Sequence, residues 1–172
     1  MPNITTTYSA AAATVIPMNL SGLAASPTFI AGRECTQIDN TVTKYIDAIV
    51  YGWFIVGTTP TIPANFSIYA WGNDVSLAIT PIDTLVGVNN NRTLTNTTVL
   101  NSALGIVRSP PILVATSDLK YVVLPFSMRD VLRSPLPPFW GLFCSHNMTA
   151  ALKIDAGNTD AFRFHGITYT SA

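Results

Sequence analysis

The stretch YIDAIVYGWFIVGTTPTIPANFSIYAW, from Tyr45 to Trp71, decides the fold. Its first part, Tyr45 to Val56, is mostly β-branched and aromatic and has the length of a long strand, so it reads as a central strand of a sheet. Gly57 to Asn65 (GTTPTIPAN) closes that strand, because Gly and two prolines interrupt any regular element. Phe66 to Trp71 then alternates: Phe66, Ile68 and Ala70 fall on one face, Ser67, Tyr69 and Trp71 on the other. Two strands joined by a turn-rich segment predict a hairpin.

The C-terminal side continues in the same manner. Gly72-Asn73-Asp74 is a turn signal, and Asn89 to Asn96 (NNNRTLTN) reads as an exposed loop or a weak edge strand. Shorter strands are expected at Leu104 to Val107, Ile112 to Ala115 and Tyr121 to Leu124. The single helical signal is Ser127-Met-Arg-Asp-Val-Leu-Arg, with Ser127 as the cap and Asp130 placed favourably for the helix dipole. Pro135, Pro137 and Pro138 end it, because proline neither continues a helix nor donates to a ladder. Phe139 to Ser145 and Phe162 to Tyr169 complete the set. Many short strands with one small helix predict an all-β fold, an antiparallel jelly-roll-like β-sandwich with one short helix.

On the N-terminal side, residues 1–40 are rich in Thr, Ser, Ala and Pro and carry isolated apolar residues without a helical period. The segment is too apolar for a disordered tail. It is expected to be an extended N-terminal arm, ordered against a partner subunit through Tyr8, Val15, Ile16, Leu20, Leu23, Phe29 and Ile30, with residues 41–172 forming the sandwich domain. In Phe139 to Ser145, Trp140, Leu142 and Cys144 share one face and Phe139 and Phe143 the other, so both faces meet apolar material. The opposing sheet accounts for one face, and the arm or a neighbouring subunit is expected on the other.

Composition narrows the function. Only 10% of the 172 residues are charged while 48% are hydrophobic, against about 25% charged in an average soluble domain. With nine basic and nine acidic residues the formal net charge is zero, so nothing repels one copy from the next and association is the expected state. Those charges are scattered singly, which argues against nucleic acid, whose phosphates call for clustered Lys and Arg. The longest strongly apolar run, Ala48 to Gly57, is far shorter than the roughly 20 residues a bilayer requires, so no membrane is expected as partner. The opening MPNITTTYSAAAATVIP has neither a basic start nor a continuous apolar core, so export by the secretory route is not expected and synthesis is placed in the cytoplasm. Cys35 and Cys144 show no paired spacing; they are two buried thiols or one bridge, and a cytosolic origin favours thiols.

Chemistry is sparse. Glu34 is the only Glu, the Asp residues mostly fall in turns or at strand ends, and there is no nucleophile elbow or phosphate-binding loop. No catalytic residue and no cofactor are assigned, and the chain is expected not to be an enzyme. Cys144, His146 and His165 offer three metal-ligand types without a fourth; a core thiol and two His bonded to loop backbones account for them better, and no metal is assigned. Among Trp53, Tyr69, Trp71 and Trp140, only Tyr69 and Trp71 sit on the less apolar face of their strand, which makes them the candidates for a surface-aromatic binding site.

Three motifs then occur in order: Leu136-Pro137-Pro138-Phe139-Trp140-Gly141, Asn147-Met148-Thr149-Ala150-Ala151-Leu152 and Gly166-Ile167-Thr168-Tyr169. In this pattern the chain from about Tyr45 onward resembles the small β-sandwich virion proteins of tailed bacteriophages, the capsid cement or decoration type. One departure is the turn after Thr149, which lacks the Gly of that pattern. The resemblance implies a structural protein on the outer capsid surface that binds between subunits of the major capsid protein and forms a homotrimer. Two alternatives stay open: a receptor- or glycan-binding module of a head or tail fibre, using Tyr69, Trp71 and the Asn-rich loop, and a head-completion or tail component.

Overall fold

The computed structural model describes residues 4–9, 12–108 and 111–171. In chain order its strands are β1 (Ile4–Tyr8), β2 (Thr14–Ile16), β3 (Ala31–Glu34), β4 (Ile38–Asp39), β5 (Asp47–Ile55), β6 (Ala64–Asn73), β7 (Asn90–Thr93), β8 (Gly105–Arg108), β9 (Pro111–Ile112), β10 (Lys120–Ser127), β11 (Phe139–His146) and β12 (Phe162–Ser171). Two short helices, α1 (Thr97–Ser102) and α2 (Met128–Leu132), interrupt them. One sheet runs β1-β12-β5-β10, with β2 also on β12; the other runs β7-β3-β11-β6-β8, with β4 on β11 and β9 on β6. The pairings are antiparallel. The all-β sandwich expected from the sequence is the fold observed.

The expected hairpin is not formed. β5 pairs with β12 and β10 in the first sheet, while β6 pairs with β11 and β8 in the second. The two strands face each other across the core, where the rings of Phe54 and Phe66 stack at 4.0 Å and 13°. The reason lies in their apolar rows. Ala48, Val50 and Phe54 on β5 and Phe66, Ile68 and Ala70 on β6 are all buried, and two such rows remove more apolar area from water face to face than edge to edge. The segment 56–63 is also longer than tight hairpin loops.

The expected arm is part of the sandwich, beginning with β1, which lies along Ile167 to Ser171 of β12. β2 extends the first sheet along Phe162 to Phe164, and β3 and β4 lie against β11 in the second. Ile16, Leu20 and Leu23 are buried in the core between the sheets with Met18 and Cys35. An apolar residue in a chain with so few charges gains burial from the nearest unpaired strand edge, and here that edge is the chain's own.

Ser127 caps α2 as expected, its hydroxyl accepting the Asp130 N–H at 3.1 Å. The same hydroxyl donates to Asp47, whose other oxygen accepts the Arg129 N–H at 2.9 Å, so the helix start is tied to β5. The expected single helix is joined by α1, where the Asn96 side chain accepts from Thr98 N at 2.8 Å and Val99 N at 3.3 Å. An Asn cap before Thr-Thr-Val-Leu is a legible start signal. β7 is the weak edge strand that NNNRTLTN allowed.

A second core lies on the outer side of the second sheet. The excursion of residues 75–104 folds back over it, and Leu77, Leu85, Leu94, Leu100 and Leu104 bury Tyr69, Trp71 and Phe143. The cover expected from an arm or a neighbouring subunit is therefore this chain's own loop. Gly141 on β11 stands opposite Trp71, and the indole occupies the place of a Cβ, 2.5 Å from it; only glycine permits that approach.

Candidate interaction surfaces

The excursion is locked onto the sheet through Glu34. This buried carboxylate accepts the Gly87 N–H and pairs with Arg92 Nε at 3.0 Å. Gln37 adds a second tie, accepting the Leu77 N–H at 3.1 Å and donating to Ser76 Oγ at 2.7 Å. The polar groups that the sequence offered as chemistry thus hold the fold together.

The candidate surface aromatics Tyr69 and Trp71 are interior, 4% and 0% exposed. Alternation placed them correctly on the face opposite Phe66, Ile68 and Ala70, but that face is covered. Of the arm residues, Tyr8 is exposed, Val15, Phe29 and Ile30 are half-buried, and Ile16, Leu20 and Leu23 are enclosed. The last three have no surface to offer a partner subunit.

Cys144 and His146 lie on β11, whereas His165 lies on β12 in the other sheet, its ring stacked on Tyr51 at 6.0 Å and 22°. The three do not converge, and among the described residues no cluster of three His, Cys, Asp or Glu side chains is placed to hold a metal ion. Both cysteines are free and buried. Burial pushes the Cys35 thiol up to about 12 and the Cys144 thiol well above its ordinary value, so neither supplies a thiolate nucleophile at neutral pH.

His146 is fully buried and bonds the Leu23 carbonyl through Nε2 at 2.9 Å. The carbonyl accepts, so Nε2 carries the proton, and Nδ1 has no partner. Burial lowers the imidazole pKa, opposed in part by the Leu23 bond. In the unfolded chain the ring takes up a proton near pH 6.5, and in the folded chain only at lower pH. The contribution of neutral His146 is therefore complete above about pH 6.5 and is lost as pH falls from there through the lowered folded value. Urea unfolding of the wild type and of His146→Gln between about pH 7.5 and 5 measures this: the fall in stability below pH 6.5 should be smaller in the variant. Parallel curves would exclude His146 as its source.

No protein-family model, curated protein or solved structure matches this chain. Function has to be read from the surface. Among the described residues no helix is long and apolar enough to cross a membrane.

Two surfaces stand out, both on the first sheet. The first is the free edge of β10, where Val122 and Leu124 are each 66% exposed. Leu113 and Val114 are exposed as well, and the Tyr121 hydroxyl donates to the Val114 carbonyl at 3.4 Å. Natural edge strands are commonly blunted by charge, Pro or a bulge. On β10, Pro125 and a register shift between Val123 and Phe126 do this at one end, while Lys120 at the other end lies over the Trp53 ring, 4.0 Å from its centroid. The stretch between is unguarded. The opposite edge is different: there β12 is itself covered, by β1 along Ile167 to Ser171 and by β2 along Phe162 to Phe164.

The second surface is the outer face of the same sheet, which carries Tyr51 and Trp53 from β5 and Arg163 and His165 from β12, all half-buried. Trp53 is fixed by donating to the Gly157 carbonyl at 2.9 Å. That turn is anchored in turn by buried Asn158, which bonds the N–H and carbonyl of Ile55 at 2.7 and 3.0 Å. Sequence reasoning passed over Trp53 because its strand reads as apolar on both faces; the polar neighbours Arg163 and His165, supplied by β12, were the available signal.

Proposed function

We propose that this chain is a non-enzymatic virion protein of the capsid cement type, which attaches to the major capsid protein along the free edge of β10 and acts as a homotrimer. The observation that carries the reading is the unguarded pair Val122 and Leu124 on an edge strand. Support also comes from the near absence of charge and from the Leu-Pro-Pro-Phe-Trp-Gly, Asn-Met-Thr-Ala-Ala-Leu and Gly-Ile-Thr-Tyr motifs of the C-terminal half. The arm gives way to the sandwich edge as the attachment element, since Ile16, Leu20 and Leu23 are used inside the chain.

The partner approaches in the plane of the sheet, adds backbone hydrogen bonds to β10 and covers its aliphatic side chains. Completing the burial of Val122 and Leu124 contributes about 1–2 kcal/mol each. Three linked copies convert such modest contacts into stable attachment, because the second and third contacts form intramolecularly.

Solution mass and sedimentation with emptied capsids test this. The expected result is a trimer that binds capsids and stays bound at about 1 M salt, where screening leaves only about 3 Å of electrostatic range. Val122→Lys should weaken binding at least tenfold with little change in melting temperature, since the side chain already faces solvent. A stable monomer that ignores capsids, or release at moderate salt, would overturn the reading.

A further inference from the structure

We infer that the outer face of the first sheet is a saccharide site, selective for a sugar that carries an isolated acidic substituent. This goes beyond the edge contact of β10, since it rests on side chains of β5 and β12, although Val122 opposite Trp53 borders the same face.

Three observations carry the inference. The rings of Tyr51 and His165 run nearly parallel, 22° apart, with Trp53 farther along β5. Aromatic side chains half in solvent, and held in place by neighbours, are what the apolar C–H face of a pyranose ring requires, since they lose little conformational freedom on binding. Arg163 stands directly opposite Tyr51 in the register, and among the described residues its guanidinium makes no ion pair or hydrogen bond. On the same face Lys120 lies over the Trp53 ring, so Arg163 is the cation beside Tyr51 and His165 that is left to a ligand. An unpaired guanidinium beside fixed rings is a fork that matches a carboxylate. Finally, Asp47 is the only carboxylate at the outward positions of β5, β10 and β12 among the described residues, and it is consumed by Ser127, Ala48 and Arg129 N–H. Arg163 is thus left without a carboxylate partner among the described residues of this face.

The density of charge separates a sugar from a nucleic acid. A single strand brings one phosphate per nucleotide and calls for a track of cations beneath it. Here two cations, Arg163 on β12 and Lys120 on β10 over the Trp53 ring, stand on either side of β5 and make no track, which suits a ligand that is mostly neutral ring with one acidic group.

Titration of the isotopically labelled full chain with 3′-sialyllactose, lactose and a single-stranded oligodeoxynucleotide, followed by amide chemical shifts, tests this without any capsid. Saturable shifts centred on residues 49–55 and 163–167 are expected for the acidic sugar, with lactose at least tenfold weaker. Arg163→Gln should bring the acidic sugar down to the lactose level, and Tyr51→Ala should weaken both sugars, each variant keeping a folded spectrum. Absence of saturable shifts at about 10 mM sugar, shifts centred elsewhere, or tighter binding of the oligonucleotide would each overturn the assignment. Because Arg163 lies on β12, across β5 from β10, Arg163→Gln should lose the acidic sugar yet sediment with emptied capsids like the wild type, so failure of one reading is distinguishable from failure of the other.

Discussion

Glu34→Ala should cost about 3 kcal/mol of stability and loosen the whole outer cover of the second sheet. Removing one partner of a buried ion pair costs about 3–5 kcal/mol, because the other charge is left without compensation. Arg92 is 22% exposed, so water takes up part of the loss and the lower end applies. The Gly87 N–H, buried against the carboxylate, loses its acceptor as well. The effect should be local before it is global: amide exchange in residues 75–104 should accelerate at denaturant concentrations that leave the β5 and β12 ladder protected. Denaturant unfolding and exchange measured on the same samples decide it. A loss under about 1 kcal/mol with unchanged protection would mean that the leucines alone hold the cover.

Trp71→Ala should be the larger effect, about 3–5 kcal/mol, the range for emptying a buried aromatic site. The indole is fully buried, packs on the backbone of Gly141 and is roofed by Leu77, Leu85, Leu94, Leu100 and Leu104. Gly141 has no side chain to extend into the space, which leaves only relaxation of the leucines to reduce the cavity. For a domain of this length each kcal/mol lowers Tm by about 2–4 °C, so a fall of roughly 6–20 °C is expected in a thermal melt. Under the surface-aromatic reading the same substitution would leave Tm nearly unchanged and abolish ligand binding. That outcome would show Trp71 to be reachable from solvent and would count against the second core.

The two substitutions probe one device from opposite sides. An antiparallel sheet commonly presents a solvated outer face; this chain instead spends residues 75–104 on covering one sheet and leaves the outer face of the other open. The contrast directs attention to the first sheet for both proposed contacts, the edge of β10 and the ring-bearing face of β5 and β12.

The sequence by itself determined the all-β class, the positions of the long strands and the residues that share each strand face. It also determined the Ser127 cap and the absence of the charge needed for a polyanion groove. These are local properties: alternation, β-branching, capping and composition act within a few residues. Tertiary structure alone decided what each face meets. Phe66, Ile68 and Ala70 lie opposite β5 rather than beside it, Tyr69 and Trp71 lie under the excursion rather than in solvent, and Ile16, Leu20 and Leu23 complete the core that β12 and β11 leave open. Each of these contacts depends on how whole strands and loops are laid against one another, and a period of two states which side a residue takes without stating what will cover it. Arg163 and Tyr51 illustrate the point most directly, being 112 positions apart in the chain and directly opposite each other in the sheet.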